Sequence, residues 1–179
     1  MSETDNNAKR EKPKTSKLGI GEMVAAVIVV LLIIAILWPV CIRLSEYRRR
    51  IRCEANLVRL GKSMVIYACC SDDKYPTADE WCDLLIEYAE VSEKAFVCPS
   101  AGEGRCHYAR NPNAKLTSSP DMVVLFETKG GWNQFGGPEI LTFENHKGKG
   151  CNISFNDQHV KFVKPEQLAD FKWNDEQKQ

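Results

Sequence analysis

The stretch that decides the fold runs from residue 22 to residue 39 and reads EMVAAVIVVLLIIAILWP. No charged residue occurs between Val24 and Ile42. About 20 helical residues cross the hydrocarbon core of a bilayer, and a soluble helix is rarely apolar on every side for this length. The sequence therefore predicts a transmembrane helix over residues 18–42.

A cleavable secretory signal is the competing interpretation of an apolar segment near the N-terminus. The apolar region of such a signal is shorter and ends in a small-x-small cleavage site. Here the run ends in Leu37-Trp38-Pro39-Val40. The sequence therefore favours a retained, single-pass membrane helix.

Basic residues flank the apolar run on both sides, so the positive-inside rule does not choose an orientation. Five stand on each flank: Lys9, Arg10, Lys12, Lys14 and Lys17 before it, and Arg43, Arg48, Arg49, Arg50 and Arg52 after it. The whole chain has 24 basic and 24 acidic residues and a formal net charge of zero. We therefore expect membrane lipid as a partner and no nucleic acid, because headgroups account for the basic flanks.

The chain on either side of the membrane segment divides into four parts. Residues 1–17 and 174–179 are polar and are predicted to form tails, the first of them disordered and basic. Residues 43–70 keep a helical spacing and are predicted to extend the same helix, which Pro39 is expected to kink. Residues at three- and four-residue steps form two rows on this extension: Ile51, Ala55, Val58, Lys62 and Val65, and Leu57, Leu60, Met64 and Ala68.

Residues 71–173 are predicted to form an extracytoplasmic domain. A short helix is expected over 80–88, with Thr77 or Asp79 as its N-terminal cap. Glycine and proline then punctuate short strands, and a final helix follows Pro165. The expected strands cover residues 96–97, 122–127, 139–143, 152–155 and 159–163, and the expected last helix covers 166–171. The sequence thus predicts an α+β fold, with a long N-terminal helix packed on a small antiparallel β-sheet.

Eight cysteines are a high number for a chain of 179 residues. In a small exported domain they indicate disulfides, whereas buried thiols in a reduced cytosolic domain are the alternative. Cys98 and Cys106 bracket a short loop and form the first predicted pair. Seven cysteines lie beyond the membrane segment, with Cys41 at its edge, so at least one thiol is expected to be free or to have a partner elsewhere.

A second predicted disulfide joins Cys69 or Cys70 to Cys82, which would tie the long helix to the second helix. Cys53 is expected to face the sheet near Cys151. Sequence spacing alone does not choose among the possible connectivities of eight cysteines.

Motifs for catalysis are absent from the sequence. It contains no glycine-rich phosphate loop, no Gly-x-Ser-x-Gly and no His-Glu-x-x-His, so no catalytic residue, no enzymatic activity and no cofactor are predicted. No Cys-x-x-Cys pair supports a zinc site. Asp157, in the predicted hairpin turn, is a weak candidate for calcium. The soft ligands available are Cys98, Cys106, His107, His146, Cys151 and His159.

Four segments, taken together, resemble the type IV pilins and the pseudopilins of type II secretion systems. They are residues 17–24 with the apolar run to Pro39, residues 48–68, residues 97–111 and residues 146–163. Their marker residues are Glu22 and Pro39; Cys53, Asn56-Leu57, Leu60-Gly61 and Tyr67-Ala68; Val97-Cys98-Pro99-Ser100, Tyr108 and Asn111; and His146 to Asp157 with His159-Val160. The match is closest to a bacterial subgroup whose exported domain ends in a glycine-rich His-to-Asp hairpin.

The resemblance implies a structural subunit of the inner membrane with its N-terminus in the cytoplasm and its C-terminal domain in the periplasm or outside. Glu22 falls on the family's glutamate. Prepilin peptidase would cut between Lys17 and Leu18, where the family has glycine followed by Phe or Met. Other pilin-like subunits and a secretion assembly platform are the implied partners.

Two departures from the family pattern leave alternatives open. With Lys17 at the cleavage position, the chain is either a filament subunit or a membrane-anchored binding domain that does not assemble; a thiol-redox protein is a third reading. Gln158 stands where the family's hairpin has a glycine. The hairpin is therefore expected to use another turn type or a residue in a strained conformation.

Overall fold

The structure, a computed structural model, describes residues 19–176. The predicted tail over 1–17, the residues Lys17 and Leu18, and the last three residues lie outside this range. Contacts within the chain define two units with their boundary between Ile42 and Arg43. Each unit is described by itself.

The helix α1 spans Ile20–Cys69 and matches the predicted continuous helix to within two residues at its start and one at its end. Its N-terminus is capped by Glu22, whose Oε2 accepts a hydrogen bond of 3.0 Å from the backbone N–H of Gly19. Up to Ile42 every side chain of α1 is exposed. Its most apolar window of 18 residues has a mean hydropathy of 3.1 and no buried residue, so α1 is long and apolar enough to cross a membrane.

The second unit is an α+β domain, as predicted. Besides the rest of α1 it contains one more α-helix and four strands in a single antiparallel sheet, with strand order β1-β2-β3-β4. The elements are α2 (Trp81–Ala89), β1 (Tyr108–Arg110), β2 (Val123–Glu127), β3 (Cys151–Phe155) and β4 (Val160–Val163). Short 3-10 helices cover Glu93–Phe96, Pro138–Ile140, Glu144–His146 and Pro165–Asp170.

One stripe of α1 forms the centre of the domain core. It is the row of Leu57, Leu60, Met64 and Ala68, all fully buried, whereas Ile51 of the other row is 41% exposed. Gly61 lies on the buried stripe, and a Cβ there would come within 3.2 Å of Ser154 Oγ on β3. The absence of a side chain at Gly61 therefore lets α1 approach the sheet closely.

Several short elements differ from the sequence prediction. Residues 96–97 and 139–143 were expected to be strands, but 3-10 helices occupy Glu93–Phe96 and Pro138–Ile140. Apolar runs this short do not distinguish a strand from a helical turn. The predicted last short helix is present as a 3-10 helix over Pro165–Asp170, and β1 was not predicted because it has only three residues.

The N-cap residue of α2 is Glu80 rather than the predicted Thr77 or Asp79, and its side chain makes no capping hydrogen bond. Asn133 performs this role from a distant loop: its Oδ1 accepts a hydrogen bond of 2.7 Å from the backbone N–H of Cys82. The N-terminus of α2 is thus satisfied by tertiary structure, which local sequence patterns do not reveal.

The β3–β4 hairpin confirms the prediction made for its turn. Gln158 has φ = +71°, a left-handed conformation that costs a residue with a Cβ about 1 kcal/mol or more. The Asn156 side chain holds the turn in place, because it accepts a hydrogen bond from the Tyr75 hydroxyl at 2.8 Å and donates one to the Ser118 carbonyl at 2.7 Å.

We expect Leu57→Ala to lower the free energy of unfolding by about 3 kcal/mol, because it removes fully buried methyl groups and leaves a cavity. Ile66→Ala, on the same helix at a side chain that is 53% exposed, is the matched control and should cost less than about 0.5 kcal/mol. Denaturant unfolding of the full chain in detergent micelles measures both. Equal effects of the two substitutions would contradict the placement of the core stripe.

We expect Gln158→Gly to raise the free energy of unfolding by about 0.5–1 kcal/mol, since glycine adopts a positive φ without steric cost. Asp157→Gly is the control one residue earlier. It removes the hydrogen bond of 3.1 Å that Asp157 Oδ1 accepts from the backbone N–H of His159, so it should destabilise by about 1 kcal/mol. A gain of unfolding free energy for Gln158→Gly and a loss for Asp157→Gly in the same assay support the turn geometry. A loss for both variants refutes it.

Candidate functional site

Four buried side chains converge beneath the sheet and are called here the sulfur–carboxylate cluster: Cys53, Cys98, Glu127 and His146. Their sulfur, oxygen and nitrogen atoms all lie within 4.8 Å of one another. Within residues 19–176 this is the single group of three or more such side chains that meets this closely. Each member comes from a different part of the chain.

Cys53 and Cys98 form a disulfide with a Cα–Cα distance of 5.0 Å, within the usual range. The bond joins α1 to the segment that follows the 3-10 helix Glu93–Phe96. The prediction of a disulfide is therefore confirmed, but the predicted pairs are wrong. Cys98 bonds to Cys53 and not to Cys106, since α1 carries Cys53 to the interior next to it.

The remaining six cysteines are free thiols: Cys41, Cys69, Cys70, Cys82, Cys106 and Cys151. Cys69 and Cys70 are exposed where α1 ends and Cys82 is buried in α2; all three are free, so neither form of the predicted bridge is present. Instead, the sulfur atoms of Cys82 and Cys106 lie 4.0 Å apart. Cys53 was expected to face the sheet near Cys151; it is buried and bonded to Cys98, and Cys151 belongs to a different apolar cluster.

Glu127 is the carboxylic member of the cluster and has no exposed surface. It ends β2, and its Oε1 lies 3.0 Å from His146 Nε2 and accepts a hydrogen bond of 2.8 Å from Asn152 Nδ2. Its Oε2 is also 3.0 Å from His146 Nε2 but lacks the alignment of a hydrogen bond. A buried carboxylate needs such partners, because desolvation without them costs several kcal/mol.

His146 is positioned by its own turn and by α1. The turn ends with Lys147 in a left-handed conformation, and the ring of His146 meets the edge of Phe162 at a centroid distance of 5.5 Å. Lys147 and Lys149 both form ion pairs with Glu46 of α1. The hydrogen bonds from these two lysines lower the pKa of Glu46 to about 2, so its carboxylate is ionised at neutral pH and can pair with both lysines.

The sulfur–carboxylate cluster has two chemical consequences. In its oxidised form it is a covalent link between α1 and the sheet region, with a buried imidazole and carboxylate beside it. Cys98 Sγ lies 3.9 Å from His146 Nε2 and 4.0 Å from Glu127 Oε1. In its reduced form, two thiols, an imidazole and a carboxylate would face one another, which is a set of soft and borderline metal ligands.

Sequence reasoning found part of this site. Cys98 and His146 were among the six soft ligands considered, but Glu127 was only the end of a strand and Asn152 had no role. A signal was present, because Glu127 is the one carboxylate in a strand that otherwise reads Val-Val-Leu-Phe. The carboxylate of Asp157, the weak calcium candidate, forms a hydrogen bond with the imidazole of His159. The calcium hypothesis stays untested.

We expect the double variant Cys53→Ala/Cys98→Ala to lose roughly 4 kcal/mol of unfolding free energy, because the bond closes a loop with a sequence separation of 45 residues. The exposed thiol variant Cys70→Ser is the control and should be neutral. Denaturant unfolding of the full chain and peptide mapping without reduction measure the two effects. A mapped peptide joining Cys98 to Cys106 would refute the assignment.

Comparison of the chain with models of known protein families, with characterised proteins and with solved structures finds no match. The resemblance to pilins therefore remains a hypothesis drawn from the four segments.

Proposed function

We propose that this chain is a membrane-anchored, pseudopilin-like structural subunit of a type II secretion or type IV pilus-like assembly. The observation that carries the proposal is α1 itself. Up to Ile42 the helix exposes every side chain and is almost wholly apolar, whereas from Cys53 to Ala68 one of its faces forms the core of a domain. One helix thus supplies both an anchor and a structural core.

The exposed apolar part of α1 needs a covering, since a surface of this kind aggregates in water. Lipid covers it in a single subunit, and the same part of neighbouring subunits would cover it in a filament. Both environments demand a helix, because its backbone groups are satisfied internally. This part of the helix therefore suits a protein that moves from the bilayer into an assembly.

Glu22 fits the same proposal. A carboxylate at the start of an apolar helix is costly in lipid unless it has a partner. Here Oε2 caps the backbone N–H of Gly19, which leaves Oε1 for a cationic group such as the N-terminal amine of a cleaved neighbour. This role requires cleavage between Lys17 and Leu18.

The cytoplasmic N-terminus in this proposal rests on the resemblance, because five basic residues stand on each flank and the positive-inside rule does not choose an orientation. Arg50, one of the five on the C-terminal flank, also packs against the domain, since its guanidinium lies 4.5 Å from the ring centroid of Phe162 on β4.

The runner-up function is a membrane-anchored binding domain that does not assemble, favoured by Lys17 at the cleavage position. A thiol-redox function receives less support. Burial raises the pKa of both Cys82 and Cys151, whereas a reactive cysteine needs a lowered pKa.

The test is the N-terminus of the protein purified from the membranes of its own cells. We expect a chain that begins at Leu18, and a Lys17→Gly variant that is cleaved at least as completely, because glycine is the family's residue at this position. Glu22→Ala should be cleaved but should fail to enter a filament, as measured by cross-linking between subunits.

If the wild type keeps Met1 while the Lys17→Gly variant is cleaved, the filament-subunit hypothesis is wrong and the membrane-anchored domain that does not assemble is supported instead. Recovery of the full chain in the soluble fraction without detergent would refute both functions.

A further inference from the structure

We propose that the sulfur–carboxylate cluster is a metal site in its reduced form, in which Cys53, Cys98, Glu127 and His146 bind one Zn²⁺ ion. The domain would then have two alternative cross-links at one place, a disulfide or a metal centre, which exclude each other. This inference goes beyond the proposed function and does not depend on whether the chain assembles.

The distances between the ligand atoms are close to those of a tetrahedral zinc site. Zinc bonds of 2.0–2.3 Å place neighbouring ligand atoms roughly 3.3–3.8 Å apart. The sulfur of Cys98 is 3.9 Å from His146 Nε2 and 4.0 Å from Glu127 Oε1. Oε2 of Glu127, the oxygen that would bind the metal, is 3.0 Å from the same imidazole nitrogen. Small movements of these three ligands, together with the separation of the sulfurs when their bond breaks, would complete the site.

Two buried polar atoms at the cluster lack hydrogen-bond partners, which points independently to a missing ligand. They are Oε2 of Glu127, whose residue is fully buried, and Oδ1 of Asn152, also fully buried. Buried polar groups are normally paired, so each orphan needs a cause. Asn152 already holds Oε1 of Glu127 and leaves Oε2 for a metal, as outer residues commonly orient metal ligands.

The chemistry of the ligands selects the metal. Two thiolates and an imidazole favour Zn²⁺ or Co²⁺, whereas Ca²⁺ and Mg²⁺ require mostly oxygen ligands. Cys82 and Cys106 form the natural comparison, because their sulfurs are 4.0 Å apart and both residues are buried. Within the described part of the chain, no imidazole or carboxylate joins that pair in a convergent group.

The proposed step balances in atoms, electrons and charge. A phosphine reductant and one water convert the disulfide into two thiols and a phosphine oxide, so the phosphorus gives two electrons to the sulfur atoms. Zn²⁺ then displaces the two thiol protons. The exchange of two protons for one Zn²⁺ leaves the net charge of the cluster unchanged, so burial of the metal adds no net charge.

The experiment uses the full chain in detergent with the exposed thiols Cys41, Cys69 and Cys70 replaced by serine. After anaerobic phosphine reduction and removal of the reductant, Co²⁺ serves as the spectroscopic probe. We expect one cobalt per chain, with a thiolate charge-transfer band and the visible bands of tetrahedral cobalt, and displacement by Zn²⁺. The oxidised protein should bind none.

Variants distinguish this site from chance binding to thiols. His146→Ala and Glu127→Gln should each weaken binding at least about tenfold, and Asn152→Ala about tenfold, the effect typical of residues that orient ligands. Cys53→Ala/Cys98→Ala should abolish binding, and the matched pair Cys82→Ala/Cys106→Ala should leave it unchanged. Formation of the Cys53–Cys98 disulfide after reoxidation confirms that the His146, Glu127 and Asn152 variants still fold.

A second measurement needs no variant at the ligands. Zn²⁺ added to the reduced protein should slow reoxidation of Cys53 and Cys98 at least about tenfold, because metal-bound thiolates are removed from disulfide exchange. Any of three results would overturn the proposal. They are no cobalt uptake by the reduced protein, wild-type cobalt affinity in the folded His146→Ala and Glu127→Gln variants, and loss of the cobalt signal in Cys82→Ala/Cys106→Ala.

Discussion

The packing of one stripe of α1 against the sheet is the interaction on which the domain depends. Four strands of three to five residues make too small a sheet to be stable alone. The stripe of Leu57, Leu60 and Met64 covers it, and each such side chain contributes about 1.5–3 kcal/mol when fully buried. Gly61 permits this contact by leaving room for Ser154. The helix is therefore a part of the core rather than an appendage to the domain.

The same packing creates the sulfur–carboxylate cluster. Because α1 crosses the sheet closely, Cys53 reaches the interior beside Cys98, at the end of β2 where Glu127 has no access to water. The carboxylate is tolerated there since His146 and Asn152 compensate it. Removal of either partner would leave the buried carboxylate with one polar partner fewer, which is more costly than replacing the whole group with apolar side chains.

The hypothesis of a pilin-like subunit and the proposal of a metal site rest on different parts of the chain. The first depends on the exposed apolar part of α1 and on residues near the cleavage position. The second depends on side chains that are wholly inside the second unit. A protein that reaches an oxidising compartment would hold the disulfide, and the reduced, metal-binding form belongs to conditions in which thiols persist.

The sequence by itself determined the long helix, the α+β class and the β3–β4 hairpin. These features rest on periodicity and on local turn chemistry, which need only neighbouring residues: a charge-free apolar run, a stripe at helical spacing, and Gln158 in place of glycine. Tertiary structure alone decided the disulfide partner of Cys98, the cap of α2 by Asn133 and the burial of Glu127 beside His146. Each joins residues far apart in the chain, and the energy that brings them together comes from packing of the whole core, so no local pattern records it.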